Sequence, residues 1–160
     1  MISVEDAKAC YIKYQSYYRQ LQEEVFIFLN KIKEDKSGQI DIESVSQRPN
    51  NQIKLLSSII KNIEERPDKY SQVKDFTDIN DIAGVRITCY CQSDRDTLFD
   101  ILDGELRQEY KDVVGDKKED GAYRACHYNF SKSFSIDGAD IKLCCEVQLR
   151  TVLGNAWAVQ

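Results

Sequence analysis

Residues 141–151, IKLCCEVQLRT, alternate with a period of two. Ile141, Leu143, Cys145, Val147 and Leu149 share one side, and Lys142, Cys144, Glu146, Gln148 and Arg150 share the other. An extended strand separates residues in this way. The first set suits a hydrophobic core. The second puts an acid, an amide and a base in a row on the face that an antiparallel sheet commonly turns to water. The chain must therefore build a sheet with one buried face and supply other elements to cover it.

Helices are the expected cover. Ser3 followed by Asp6 fits a capping box that opens a helix over 4 to about 33. Tyr11, Tyr14, Tyr18, Leu21, Val25 and Phe28 recur at steps of three and four along one apolar stripe, for packing or for a contact between subunits of a homo-oligomer. Residues 34–51 are polar and turn-rich and read as a loop with a short helical turn. Ile53, Leu56, Ile59, Ile60 and Ile63 mark a second helix over about 50–65, and Pro67 disfavours helix at Arg66. GVRITCYC (84–91) is rich in β-branched and aromatic residues and reads as a strand, with Ser93 placed to cap the helix that follows. A short strand is expected near 110–114. YRACHYNFSKSF (123–134) and DIKLCCEVQL (140–149) read as strands joined by a turn at Asp137-Gly138, a hairpin. A last helix is expected to begin near Thr151, with the chain stopping inside it. This order predicts an α+β or mixed α/β fold around four or five strands, as one domain over 1–160: a helix and loop over 1–49 and a core over 50–160.

Composition narrows the function. Hydrophobic residues make up 42% and charged residues 31%, a globular balance. The net charge of −5 weighs against a broad nucleic-acid-binding face but not against a small anionic ligand. No apolar run approaches the roughly 20 residues that span a bilayer. The N-terminus, MISVEDAKAC, lacks a secretion signal, so a cytoplasmic protein without a membrane partner is expected. Its six cysteines, Cys10, Cys89, Cys91, Cys126, Cys144 and Cys145, are then expected to be reduced core thiols. His127 is the only histidine, which excludes a phosphohydrolase built on several of them.

Two further stretches can share chemistry with the polar face of 142–150. In YRACHY, Tyr123 and His127 are four apart and point the same way, with the small Ala125 between them, leaving room for a flat group against the ring. Alternation fixes parity within each strand; it leaves open which face adjoins Glu146. In DINDIAGVRI, Asp81 precedes a strand, Arg86 lies within it, and Gly84 gives the backbone clearance. A carboxylate at a strand end near a second one on a neighbouring strand suits Mg²⁺ shared with substrate phosphates. Arg86 and Arg150 suit phosphates or a stacked base.

DIAGVRI, YRACHY and EVQLRT in this order, followed by Trp157-Ala158, resemble the synthetase domain of the RelA/SpoT alarmone synthetase family over about residues 50–160. The resemblance implies a nucleotidyltransferase-like fold, a mixed sheet flanked by helices. It implies a GTP pyrophosphokinase that moves pyrophosphate from ATP to the 3′-hydroxyl of GDP or GTP and releases AMP. By that resemblance Asp81 and Glu146 would hold Mg²⁺, with Glu146 also placed as general base. Lys54, Lys61 and Arg86 would bind ATP, with Arg86 on the adenine. Tyr123 would stack on guanine, while His127, Gln148, Arg150 and Lys118 would line the acceptor side.

The chain departs from that family's pattern in two places. Gln52 stands where the first arginine of R-x-K-x-x-x-S is expected, Lys54 and Ser58 match, and Lys61 is out of step. Arg66 or Lys69 are candidates to replace the missing charge. Ala122 is inserted between the glycine and tyrosine of the approach to YRACHY, which leaves the acceptor open. The alternatives are transfer to an adenosine nucleotide or to the 3′ end of tRNA, and a non-catalytic nucleotide-sensing domain.

Overall fold

In the computed structural model, residues 1–109, 112–120 and 123–152 are described, and their side chains except those at 106, 107, 109, 112–120, 123–126 and 130. The chain opens with helix α1, Val4–Asp35, where the Ser3 side chain accepts from the Asp6 N–H at 3.1 Å, as the cap predicts. Tyr14, Tyr18, Leu21, Val25, Leu29 and Ile32 form its buried stripe. Each such side chain removed from water contributes roughly 1.5–3 kcal/mol. One polar residue, Gln22, is buried with them.

Strand β1, Ile42–Ser46, lies within the segment that reads as a loop with a short helical turn. Its polar composition and single firmly buried residue, Ile42, hide it, and its pairing with the next strand makes it a strand. A 3₁₀ turn, Pro49–Asn51, then leads to helix α2, Leu56–Glu65. This helix starts later than the expected position near 50, because residues 52–55 are extended and the Lys54 N–H is bonded to the Ile82 carbonyl at 2.9 Å. Arg66 is non-helical, as Pro67 requires, and Pro67–Tyr70 makes a short helix, α3.

Strand β2, Ala83–Cys89, runs into helix α4, Gln92–Glu109. Ser93 lies inside that helix and does not cap it; the first bond of the turn is from the Arg95 N–H to the Cys91 carbonyl. Cys91 is exposed, against the expectation of a core thiol, whereas Cys89, Cys144 and Cys145 are buried. Burial pushes the Cys89 and Cys144 thiols up to about 12 and about 11, so both stay protonated at neutral pH. The Cys126 side chain lies outside those described.

Strand β3, Asp112–Asp120, is longer than the expected 110–114. Strands β4, Tyr123–Ile136, and β5, Ala139–Thr151, form the hairpin at Asp137-Gly138. Both turn residues have positive φ, 51° and 79°, the geometry of a type I′ turn that Asp-Gly favours. Strand β5 runs through Thr151 and helix begins at Val152, where a helix is expected near Thr151; residues 153–160 lie outside those described.

The sheet order is β1-β2-β5-β4-β3, with β2 parallel to β5 and the other pairs antiparallel. It is a five-stranded mixed sheet flanked by helices. Leu143, Cys145, Val147 and Leu149 are buried, as the alternation requires. Helix α4 packs on that side, where Phe99 stacks on Tyr128 at 4.5 Å. Helix α1 spans β2, β5 and the hairpin: Lys13 pairs with Asp137, Glu24 with Lys132, and the Tyr17 ring meets Phe134. Among the described residues no helix is long and apolar enough to cross a membrane.

Candidate active site

Register builds the site. Parallel pairing sets Gly84 beside Glu146, Arg86 beside Gln148 and Thr88 beside Arg150. Antiparallel pairing sets His127 beside Gln148 and Asn129 beside Glu146. Directly opposed residues share a face, so the choice that alternation left open is made: the His127 face of β4 adjoins the Glu146 face of β5.

Asp81, just before β2, and Glu146 line one cavity of about 340 Å³, together with Lys69, His127 and Asn129. Lys54 lies at the centre of the charge balance. Its Nζ is 2.7 Å from Asp81 Oδ2, and its charge also stabilises the Glu146 carboxylate. The lysine therefore works on both acids from the extended segment before α2 and not from the helix. Lys61, by contrast, is exposed on α2 and lines neither this cavity nor the one beside it. Of the two candidate replacement cations, Lys69 lines the cavity and Arg66 does not.

Glu146 is held by a short relay. Gln148 Nε2 donates to Glu146 Oε1 at 2.7 Å, and Arg150 Nη2 reaches Gln148 Oε1 at 3.5 Å, which orients the amide. His127 Nδ1 is 3.4 Å from the same Glu146 oxygen, within ion-pair range, yet its geometry makes no aligned hydrogen bond. The Gln148 bond is thus the firmer restraint. Burial acts to raise the Glu146 carboxyl, but the His127 and Gln148 contacts and the charges of His127 and Lys54 outweigh it and hold it below the ordinary value of 4.5. A carboxyl depressed on folding stabilises the fold above its unfolded value, and that contribution disappears as pH falls through the folded value. The acidic limb of activity is accordingly expected below the ordinary carboxylate range. In Gln148→Leu, which removes one lowering contact, the limb should move up; kcat/KM measured against pH checks this, and an unmoved limb counts against the relay.

A second cavity of about 270 Å³ adjoins the first across β2 and β5, lined by Arg48, Gly84, Arg86 and Gln148 among others. Gln148 thus faces the Arg86 side, and Arg150 lines neither cavity, reaching the site through Gln148. The register pairs Lys118 with Ala125 and Tyr123 with Asp120; both side chains lie outside those described. Sequence reasoning missed Arg48, Asn129 and Gln22. Asn129 shares the parity of His127, and Gln22 interrupts an apolar stripe; Arg48 carried no signal.

The donor set suits a hard divalent cation. Asp81 and Glu146 offer carboxylate oxygens, and Asn129 Oδ1, on the same cavity, is buried with no hydrogen-bond partner. Among the described residues no three His, Cys, Asp or Glu side chains gather as a metal site. Two carboxylates on one cavity suit an ion shared with a ligand's phosphates, as Mg²⁺ prefers.

Comparison with known proteins agrees with this geometry. No curated protein matches the chain. Residues 51–160 match the region found in RelA/SpoT proteins. The crystal structure of small alarmone synthetase 1 from Bacillus subtilis is similar at 25% identity and a TM-score of 0.68, covering 94% of this chain and 76% of that one. The same enzyme bound to its product pppGpp is similar at 26% identity and a TM-score of 0.64, covering 89% and 72%. A GTP pyrophosphokinase family protein from Streptococcus pneumoniae shares the fold at 24% identity and a TM-score of 0.69, covering 93% and 73%. The chain belongs to the RelA/SpoT family, and its mixed sheet with flanking helices is that family's nucleotidyltransferase-like fold.

Proposed function

We propose that this protein transfers pyrophosphate from ATP to the 3′-hydroxyl of GDP or GTP, releasing AMP. The observation that carries the reading is the meeting of Asp81 and Glu146 in one cavity beside Lys54 and Lys69. Family membership and the product-bound relative support it. The acceptor oxygen bonds to the β-phosphorus of ATP as the bond from that phosphorus to the α,β-bridging oxygen breaks, and AMP departs with that oxygen. The hydroxyl proton passes to Glu146.

Such transfer passes through a loose transition state and asks the protein for positioning and charge neutralisation more than for a strong base. A carboxylate held below its ordinary value suits that demand: it is ionised at neutral pH and available to orient the hydroxyl. Mg²⁺, held by Asp81 and Glu146, would neutralise charge on the transferring phosphates. Lys54 and Lys69 would meet the same phosphates. The donor base would lie in the second cavity with Arg86, and the acceptor beside His127 with its guanine on Tyr123.

Incubation with Mg²⁺, ATP and each candidate acceptor, following AMP and product, tests the reading. AMP with GDP or GTP supports it. Transfer to an adenosine nucleotide or to the tRNA end alone would reassign the acceptor. Saturable nucleotide binding without AMP would make the chain a nucleotide sensor. In Tyr123→Ala, binding of the guanosine acceptor should weaken about tenfold or more while ATP binding changes little, since a base stacked on an aromatic ring is worth roughly 1–3 kcal/mol. Equal loss for both nucleotides, measured by titration, would contradict the stacking role.

A further inference from the structure

Asn129 stands on β4 directly opposite Glu146 of β5 in the antiparallel ladder. Side chains opposed in this way share a face, with their β-carbons about 5 Å apart. Both residues line the first cavity. Yet Asn129 Oδ1 is buried and has no hydrogen-bond partner among the described residues. An unpaired buried amide oxygen carries a desolvation cost that a bound donor offsets. The polar groups around it are directed elsewhere. Gln148 Nε2 donates to Glu146 Oε1 at 2.7 Å, His127 Nδ1 faces that same oxygen at 3.4 Å, and Lys54 Nζ is 2.7 Å from Asp81 Oδ2.

Glu146 has a different neighbour on each side. Toward β2 it meets Gly84, with Asp81 just before that strand; toward β4 it meets Asn129. In the proposed reaction Asp81, with Lys54 beside it, keeps the transferring phosphates on the β2 side. An acceptor sugar whose 3′-hydroxyl meets Glu146 therefore lies against β4. In a ribonucleotide the 2′- and 3′-hydroxyls are neighbours on one side of the ring. With the 3′-oxygen at Glu146, the 2′-hydroxyl falls to the residue across the ladder, Asn129. A hydroxyl both donates and accepts, so it satisfies an amide turned either way, whereas a metal ion takes only the oxygen.

We infer that Asn129 binds the 2′-hydroxyl of the acceptor ribose and selects ribonucleotide over 2′-deoxyribonucleotide acceptors. This rests on the proposed transfer to a 3′-hydroxyl held at Glu146. The test compares GDP with 2′-deoxy-GDP in wild type, Asn129→Leu and Asn129→Ala. It reads kcat/KM for AMP release with Mg²⁺ and ATP, and affinity by equilibrium titration. Wild type should favour GDP about tenfold or more, because a site built to pair a substrate hydroxyl rejects the analogue that lacks it. Either substitution should bring that ratio to within about twofold, mainly through loss of GDP. The preference between ATP and 2′-deoxy-ATP as donor should not move, nor should the Mg²⁺ concentration for half-maximal rate. Equal use of the two acceptors by wild type would overturn the inference without recourse to any variant, and leave the proposed reaction standing. A wild-type ratio retained in the folded variants would do the same. Equal loss of both acceptors with a raised Mg²⁺ requirement would overturn it by making Asn129 a cation ligand. Discrimination in titration that disappears in the variants, without AMP from wild type, would support the contact and remove the reaction. Binding of neither nucleotide would remove both.

Discussion

Glu146→Gln is expected to cut pyrophosphate transfer by about 10²–10⁴-fold, the usual effect of losing a positioned proton acceptor, while the protein still folds. The substitution keeps the shape and can keep the bond from Gln148 Nε2, since a glutamine oxygen accepts as the carboxylate does. It removes the charge that His127 and Lys54 face. Stability should therefore change modestly, and the thermal midpoint and circular dichroism should stay close to wild type. AMP release with Mg²⁺, ATP and GDP reads the activity. Turnover near wild type in a folded variant would remove Glu146 from the mechanism.

Asp81→Asn should be nearly as damaging, through a different quantity. Asp81 carries the charge nearest Lys54, 2.7 Å away, and is one of two carboxylates on the cavity. With an amide in its place, an Mg²⁺–nucleotide complex loses a ligand and Lys54 loses its partner. We expect transfer to fall by about 10³-fold, in line with removing a major electrostatic contact from a phosphoryl-transfer site. The dependence of ATP-analogue affinity on Mg²⁺ should collapse with it. Titrating the analogue with and without Mg²⁺ gives that ratio directly. An Asp81→Asn protein whose Mg²⁺ dependence equals wild type would show that the carboxylate serves only as the partner of Lys54. Because the Lys54–Asp81 pair is partly solvated, the stability cost should be about 1 kcal/mol or less.

These two acids show how much of the site is legible in the sequence. Both were picked out as residue types in a suitable local setting, one before a strand and one on a polar strand face. What could not be read was the second layer around them. Lys54 was expected on a helix, but the carbonyl of Ile82 claims its N–H and Asp81 claims its ammonium, so the helix begins two residues later, at Leu56. Lys61 follows the helix and is turned to solvent. Arg48 belongs to a segment whose strand, β1, depends on β2 for its existence: with few apolar residues of its own, it is defined by the ladder it completes. Asn129 has the parity of His127, and Lys69 was a candidate beside Arg66, but only the register of β4 on β5 and the packing of α3 bring the two to the cavity.

The sequence alone determined the alternation of β5, the Asp137-Gly138 turn that folds it back on β4, the capped first helix and its stripe. Each of these is set by interactions between residues close along the chain: side-chain parity, a left-handed turn preference, a hydroxyl three residues from an amide. The tertiary structure decided that β2 lies parallel to β5, so that Gly84 meets Glu146 and Asp81 arrives at its cavity. Parity says which residues share a side of one strand; only the burial of the apolar side against α1 and α4 chooses which strands lie together and in what register.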